Sequence, residues 1–178
     1  MIKLGVISKV EILLNDKNKQ IVREATWVIS NITAGTKTQI EYVLKNGNIV
    51  NKLLSLTKDN DFSIKMEAIN ALSFACSGSD FALCIVLINL NIFENFIELL
   101  GINNEPKFIL TILEGIENIF QQGEIMKQIN QFNPFVKKFD DLGGVNQLNR
   151  LQKFKNEVIY TTTVRILEMY FGYLIVND

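Results

Sequence analysis

Three side chains with complementary binding chemistry lie one helical turn apart in the stretch REATWVISNITAG, residues 23–35. They are Glu24, the single tryptophan Trp27, and Asn31, and this spacing puts them on one face of a helix. An amide can hydrogen-bond both the N–H and the C=O of an extended peptide, and an indole can contact the stem and cation of Lys or Arg. With a carboxylate to pair with that cation, the three predict a pocket for a basic peptide side chain. The alternative is that Trp27 is a packing residue, in the core or between repeats, which is the commoner role of a lone tryptophan.

The helix that carries these residues also has an apolar face. Helical spacing groups its apolar side chains into one stripe, formed by Ile21, Ala25, Val28, Ile29 and Ile32. The binding residues lie beside that stripe, so we expect it to be buried and them to be accessible.

A repeat of about 43 residues organises the chain. Glu24-Ala25 begins a segment that ends in Thr-Ala-Gly, and Glu67-Ala68 begins one that ends in Cys-Ser-Gly. Each full unit has helical spacing in three segments, seen best at residues 39–45, 49–56 and 63–77. Pro106 stands where the third long helix should begin, which suits a first-turn proline. Asn91 stands where earlier copies have a glycine, and asparagine tolerates a left-handed backbone.

Three helices in such a period are typical of armadillo repeats. We therefore predict an all-α, right-handed armadillo-repeat solenoid that forms a single domain over residues 1–178. It would contain about four repeats, at approximately 1–35, 36–78, 79–122 and 123–178, the first being incomplete. The Trp27 stripe would lie on the concave surface. The apolar N-terminal segment predicts continuation into something not present in this sequence.

Composition argues against several classes of function. The chain of 178 residues has no histidine, a net charge of −1 and two cysteines, Cys76 and Cys84, without metal-ligand spacing. Histidine is the commonest general base and metal ligand, and no catalytic or phosphate-binding motif is visible. We therefore expect no enzyme, no cofactor and no metal. The chain lacks the basic stripe of a nucleic-acid binder and an apolar run of about 18 residues, so neither nucleic acid nor membrane is expected.

The sequence resembles a known family, importin-α, the adaptor that reads nuclear localisation signals. EATWVISNITAG (residues 24–35) resembles the long helix of one of its armadillo repeats, and MEAINALSFACSG (66–78) and ILEGIENIFQQGE (112–124) resemble those of the next two. DDLGGVNQLNRLQKFKNEVIY and ILEMYFG are similar to its last repeat. The resemblance covers nearly the whole chain and implies the C-terminal part of the family, roughly its last four repeats.

The resemblance also implies sites and partners. It places Glu24, Trp27, Asn31 and Glu67 in the smaller, C-terminal of the family's two signal-peptide sites. It implies basic signal peptides of cargo proteins as partners, the nuclear export receptor as a partner of the last repeats, and a location in cytoplasm and nucleus. The Lys/Arg-rich arm that binds importin-β in the family is absent from this sequence, so importin-β is not an expected partner of this chain taken alone.

The chain departs from the family at two helices. Asn70 stands at the tryptophan position of the second repeat, and Phe74 stands at its asparagine position. In the third repeat Glu114 replaces the tryptophan, whereas Asn118 keeps the amide. Asn70 and Asn118 complete the predicted peptide-binding set. We expect Phe74 to turn inward and fill core space.

Two functions remain open from the sequence. The first is an importin-α-like module that binds basic nuclear-localisation-signal peptides through one complete Trp–Asn pair, with micromolar or weaker affinity. The second is an armadillo scaffold subunit of a larger assembly that does not bind cargo.

Overall fold

The computed structural model describes residues 4–101 and 105–172. Every regular element in these residues is an α-helix, and they form two compact units divided after Ile92. The first unit contains α1 (Leu4–Leu13), α2 (Lys19–Thr33), α3 (Lys37–Leu44), α4 (Gly47–Leu56), α5 (Phe62–Ser77) and α6 (Phe81–Asn89). The second contains α7 (Ile92–Gly101), α8 (Pro106–Asn130), α9 (Pro134–Asp141), α10 (Gly144–Leu151) and α11 (Glu157–Phe171).

The predicted helices are present, with small shifts at their ends. The segments predicted at 39–45, 49–56 and 63–77 are α3, α4 and α5, in the order short, intermediate and long. Pro106 begins α8 as expected. The helix then continues to Asn130, past residue 122, where the third repeat was predicted to end. Asn91 has a φ of 64°, which is the left-handed conformation expected of it. The division into one domain of four repeats stays a prediction.

Short polar side chains fix where the helices begin. The carboxylate of Asp61 accepts the backbone N–H groups of Ser63 and Ile64, and that of Asp80 accepts the N–H of Leu83. Such N-caps satisfy backbone donors that the first turn leaves unpaired. Asparagines do the same at α2, α4, α9 and α11.

The core of the first unit is aliphatic. α2 packs along α5, and the fully buried side chains between the helices of this unit include Ile29, Ile40, Ile49, Leu53, Ile64, Ile69 and Leu72. Two ion pairs join residues that lie 40 and 43 positions apart in the chain. Lys19 pairs with Asp59, and Lys37 pairs with Asp80. In each pair the hydrogen bond from the lysine lowers the pKa of the aspartate below its usual value.

Aromatic rings fill the core of the second unit. The ring centroid of Phe139 lies 5.3 Å from those of Phe93 and Phe120, and both contacts are edge-to-face. Gly144 lies directly against the Phe139 ring, because a Cβ at residue 144 would approach a ring carbon to 2.2 Å. This unit also has a part-buried ion pair, in which the Arg165 guanidinium donates two hydrogen bonds to the carboxylate of Glu117.

Within the described ranges, no single helix is long and apolar enough to cross a membrane. Among the described helices, only α6 and α7 taken together reach the length and composition of a span. Their apolar side chains Leu87, Phe93 and Phe96 are fully buried, as in the core of a folded domain.

Both cysteines are buried free thiols. Burial raises the pKa of Cys76 well above its usual value and that of Cys84 to about 12. At pH 8 both thiols therefore remain protonated, and only the thiolate is a nucleophile. We expect alkylation of the folded protein by iodoacetamide at pH 8 to be at least about 100-fold slower than alkylation in guanidinium, as measured by mass spectrometry. Equal rates in the two conditions would contradict this burial.

Candidate functional site

The predicted binding residues of the first unit lie on the adjacent helices α2 and α5. Each helix buries most of its surface and leaves a narrow accessible stripe. The Oγ of Ser30 on α2 donates a 2.7 Å hydrogen bond to the carboxylate of Glu67 on α5. This contact sets the lateral alignment of the two helices and brings their stripes together.

An open pocket of about 340 Å³ lies between the two stripes. It is lined by Arg23, Glu24, Trp27, Ser63 and Glu67. The Trp27 side chain is 51% exposed, so the alternative that it packs in the core is wrong. The indole is therefore available to a ligand over about half of its surface.

The charges around Trp27 are mixed, with an acidic excess. The carboxylate of Glu24 is 2.9 Å from the guanidinium of Arg23, and both groups are largely exposed. An exposed ion pair of this kind contributes little to stability, so a ligand charge can replace one of its members at small cost. Two carboxylates and one guanidinium line the pocket, so its net charge favours a cationic ligand over an anionic one.

Asn31 is held in a defined orientation. Its Nδ2 donates a 2.9 Å hydrogen bond to the backbone oxygen of Trp27, one turn earlier, and the side chain is exposed. An amide has two N–H donors and an acceptor oxygen, so one donor and the oxygen remain for a ligand. Asn118 in the second unit makes the same local contact, from its Nδ2 to the backbone oxygen of Glu114 at 2.9 Å.

Asn70 and Phe74 continue the accessible stripe of α5 beyond Glu67. Asn70 is half-buried, one turn after Glu67. Phe74 is 40% exposed, so the expectation that it turns inward to fill the core is wrong. The physical reason is its position on the helix: Phe74 lies one turn after the half-buried Asn70, on the accessible face, whereas its neighbour Ala75 is on the buried face.

The structure thus brings together three of the six predicted residues, Glu24, Trp27 and Glu67, in one pocket, with Asn31 one turn away. Asn70 lies farther along α5, and Asn118 belongs to the second unit. Sequence reasoning missed Arg23 and Ser63. Both could have been found, since each lies four residues before a predicted site residue on the same helix face.

The described ranges contain no group of His, Cys, Asp and Glu side chains that could hold a metal ion. The pocket offers an aromatic surface and carboxylates, and the oriented amide of Asn31 lies one turn away. This chemistry suits the recognition of a cationic peptide side chain.

Comparison with known proteins agrees with the repeat pattern. Residues 1–34 match the family described as Armadillo/beta-catenin-like repeat. Importin subunit alpha-4 of Arabidopsis thaliana is 35% identical over 164 residues, which cover 90% of this chain and 30% of that protein. Importin subunit alpha-1a of Oryza sativa subsp. japonica is 35% identical over 162 residues, with the same coverage. The chain thus spans about a third of the length of these relatives.

Solved structures show the same fold. A designed armadillo repeat protein in complex with the peptide (KR)4 superposes with a TM-score of 0.79 at 26% identity, over 92% of this chain and 64% of that one. A computationally designed armadillo repeat protein for modular peptide recognition gives a TM-score of 0.80 at 23% identity, over 93% and 65%. The predicted all-α armadillo-repeat solenoid is confirmed. The chain consists of armadillo repeats that are similar to those of importin-α subunits.

Proposed function

We propose that this chain is a protein-binding module that recognises basic nuclear-localisation-signal peptides in nuclear protein import. The observation that carries the proposal is the half-exposed indole of Trp27 in a pocket that also contains the carboxylates of Glu24 and Glu67.

A lysine or arginine of an extended peptide would lie with its methylene stem along the indole. Its cation would contact the ring face and the neighbouring carboxylates, and each of these interactions is favourable for a positive group. The free donor and acceptor of Asn31 would bind the peptide backbone beside that residue. One pocket of this kind supports micromolar or weaker affinity, because affinity in a repeat surface accumulates over several linked contacts.

The comparisons support the same assignment. The relatives named above are importin-α subunits, and the designed repeat protein with 26% identity was solved with a peptide of alternating lysine and arginine. The proposal includes action as a binding module rather than as an enzyme, residence in cytoplasm and nucleus, and a contact of the last repeats with the nuclear export receptor.

The test is a titration of a fluorescent lysine-rich signal peptide, followed by anisotropy at low and moderate salt. The wild-type chain should bind saturably, and Trp27→Ala should weaken binding about tenfold, since the indole contact is worth roughly 1–2 kcal/mol. The matched control is Tyr160→Ala, which removes an exposed aromatic side chain of α11 that does not line the pocket.

Two outcomes would contradict the proposal. One is the absence of saturable binding. The other is binding that survives Trp27→Ala unchanged and disappears with salt, which is the behaviour of nonspecific charge attraction.

An apolar groove favours a second function, a scaffold subunit that holds a partner protein. The groove has a volume of about 440 Å³ and lies between α1 and α2, with Val10, Leu13 and Val28 among its lining residues. Exposed apolar surface of this kind commonly marks a protein interface. If the chain is a scaffold, we expect it not to bind basic peptides. We also expect Leu13→Asp to lose a co-purifying partner, as measured by size-exclusion chromatography.

A further inference from the structure

Helices α2 and α5 each carry an exposed aromatic ring and an at least partly accessible amide four residues apart, but in opposite order. On α2 the ring comes first, with Trp27 followed by Asn31. On α5 the amide comes first, with Asn70 followed by Phe74. Both rings are accessible, at 51% for Trp27 and 40% for Phe74.

The surroundings of the two rings differ in charge. Trp27 has Glu24 one turn earlier on its own helix, and Glu67 lines the same pocket. Three residues before Phe74, at the place that corresponds to Glu24, stands Ala71, and four residues before Phe74 stands the neutral amide of Asn70. Within the described part of α5, Glu67 is the one carboxylate, and it lies two turns before Phe74 and accepts a hydrogen bond from Ser30. On α5 itself, a cation beside Phe74 would therefore find a ring but no adjacent counter-charge.

We propose that Phe74 forms an apolar subsite next to the Trp27 pocket, and that this subsite accepts an uncharged aliphatic or aromatic side chain of the same peptide. This inference rests on the proposed function and specifies its ligand class. The preferred ligand is a peptide in which an apolar residue stands a few positions from the lysine or arginine that contacts Trp27.

The distance between the subsites fits one extended peptide. Adjacent packed helices lie about 8–10 Å apart, and an extended chain rises about 3.3 Å per residue. Because Glu67 pairs with Ser30, Phe74 also lies about ten residues farther along the helix direction than Trp27, which is about 15 Å at about 1.5 Å per residue. The two displacements together are about 17 Å, so the apolar residue is expected about five positions from the basic one. The contact across α2 and α5 at Ser30 and Glu67 shows that the two stripes lie side by side.

The test is a leucine scan of a short fluorescent peptide with a central Lys-Arg pair and Gly-Ser flanks. Leucine should strengthen binding about fivefold at one or two flanking positions, because covering the exposed ring removes apolar surface from water. Phe74→Ala should abolish that gain. Phe62→Ala is the matched control, since it removes another exposed ring of α5 and should leave the gain unchanged.

A double variant that reverses the order of ring and amide on α5 should reverse the peptide preference. Asn70→Trp combined with Phe74→Asn copies onto α5 the order found on α2. This double variant should lose the preference for leucine and prefer lysine at the same peptide position. Circular dichroism melting curves of all variants should match the wild type, since the changed side chains are exposed or half-buried.

The inference is overturned if leucine gives no gain at any position, or if the gain survives Phe74→Ala. Its failure is distinguishable from failure of the proposed function. Binding of the parent peptide that depends on Trp27 but not on Phe74 would support the proposed function and reject the apolar subsite. A leucine gain that depends on Phe74, without any dependence on Trp27, would reject the basic pocket instead.

Discussion

Phe139→Ala is expected to lower the free energy of unfolding by about 3–5 kcal/mol. Phe139 is fully buried at the centre of the aromatic core of the second unit, with edge contacts to Phe93 and Phe120. Its removal loses the transfer energy of a whole ring and leaves a cavity that the neighbouring rings fill only in part. Because folded domains are stable by only about 5–15 kcal/mol, the loss is a large fraction of the total. Guanidinium unfolding followed by circular dichroism at 222 nm measures it.

The matched control is Phe132→Ala. Phe132 lies between α8 and α9 and is 48% exposed, so we expect a change below about 0.5 kcal/mol. A loss below about 1 kcal/mol for Phe139→Ala would contradict the packing described for this core. So would equal losses for the two variants.

Arg165→Met is expected to destabilise the second unit by about 2–3 kcal/mol. Arg165 donates two hydrogen bonds to the carboxylate of Glu117, and Glu117 is only 8% exposed. Methionine keeps most of the length of the side chain but leaves the carboxylate largely buried without its cation. The expected loss is below that of a fully buried pair because the Arg165 side chain is itself half exposed.

A double-mutant cycle separates the pair from its surroundings. Glu117→Gln combined with Arg165→Met should recover most of the stability, because the buried charge is then gone as well. Arg150→Met is the control, since Arg150 is exposed and donates only to the side chain of Gln147 at 3.3 Å. If the double variant is as unstable as Arg165→Met, the buried unpaired charge is not the cause of the loss.

Local signals in the sequence were sufficient to predict α5. The helix was expected at 63–77 and is found at Phe62–Ser77. Its beginning is fixed by the Asp61 cap and its end by Gly78, and both signals act on the backbone within a few residues. The helical spacing of α2 likewise predicted that Trp27 lies beside the buried face and is accessible.

The continuation of α8 could not be predicted in this way. Gly123 within α8 disfavours a helix by about 1 kcal/mol relative to Ala. In the structure its missing side chain makes room for Asn133, since a Cβ there would lie 2.0 Å from the Asn133 Oδ1. Asn133 in turn donates to the backbone oxygen of Phe120. A tertiary contact therefore overrides the local preference, and a single sequence does not contain that information.

The candidate site likewise combines features that one helix determines with features that depend on how helices pack. The spacing of Glu24, Trp27 and Asn31 is a property of one helix and was visible. The hydrogen bond between Ser30 and Glu67 depends on how α2 and α5 are aligned, and the exposure of Phe74 depends on the packing beside it. Both became evident only when the two helices were seen together.

The hydrogen bond from Asn31 to its own helix has a consequence for the thermodynamics of binding. Because its Nδ2 is held by the Trp27 carbonyl, the rotamer of the amide is already selected in the unliganded protein, and its Oδ1 has a fixed direction. In the complex that we propose, a peptide N–H would meet an acceptor whose orientation this hydrogen bond already favours in the unliganded protein. Immobilising a free side chain on association costs about 0.5–1.5 kcal/mol, and for Asn31 most of that cost is absent.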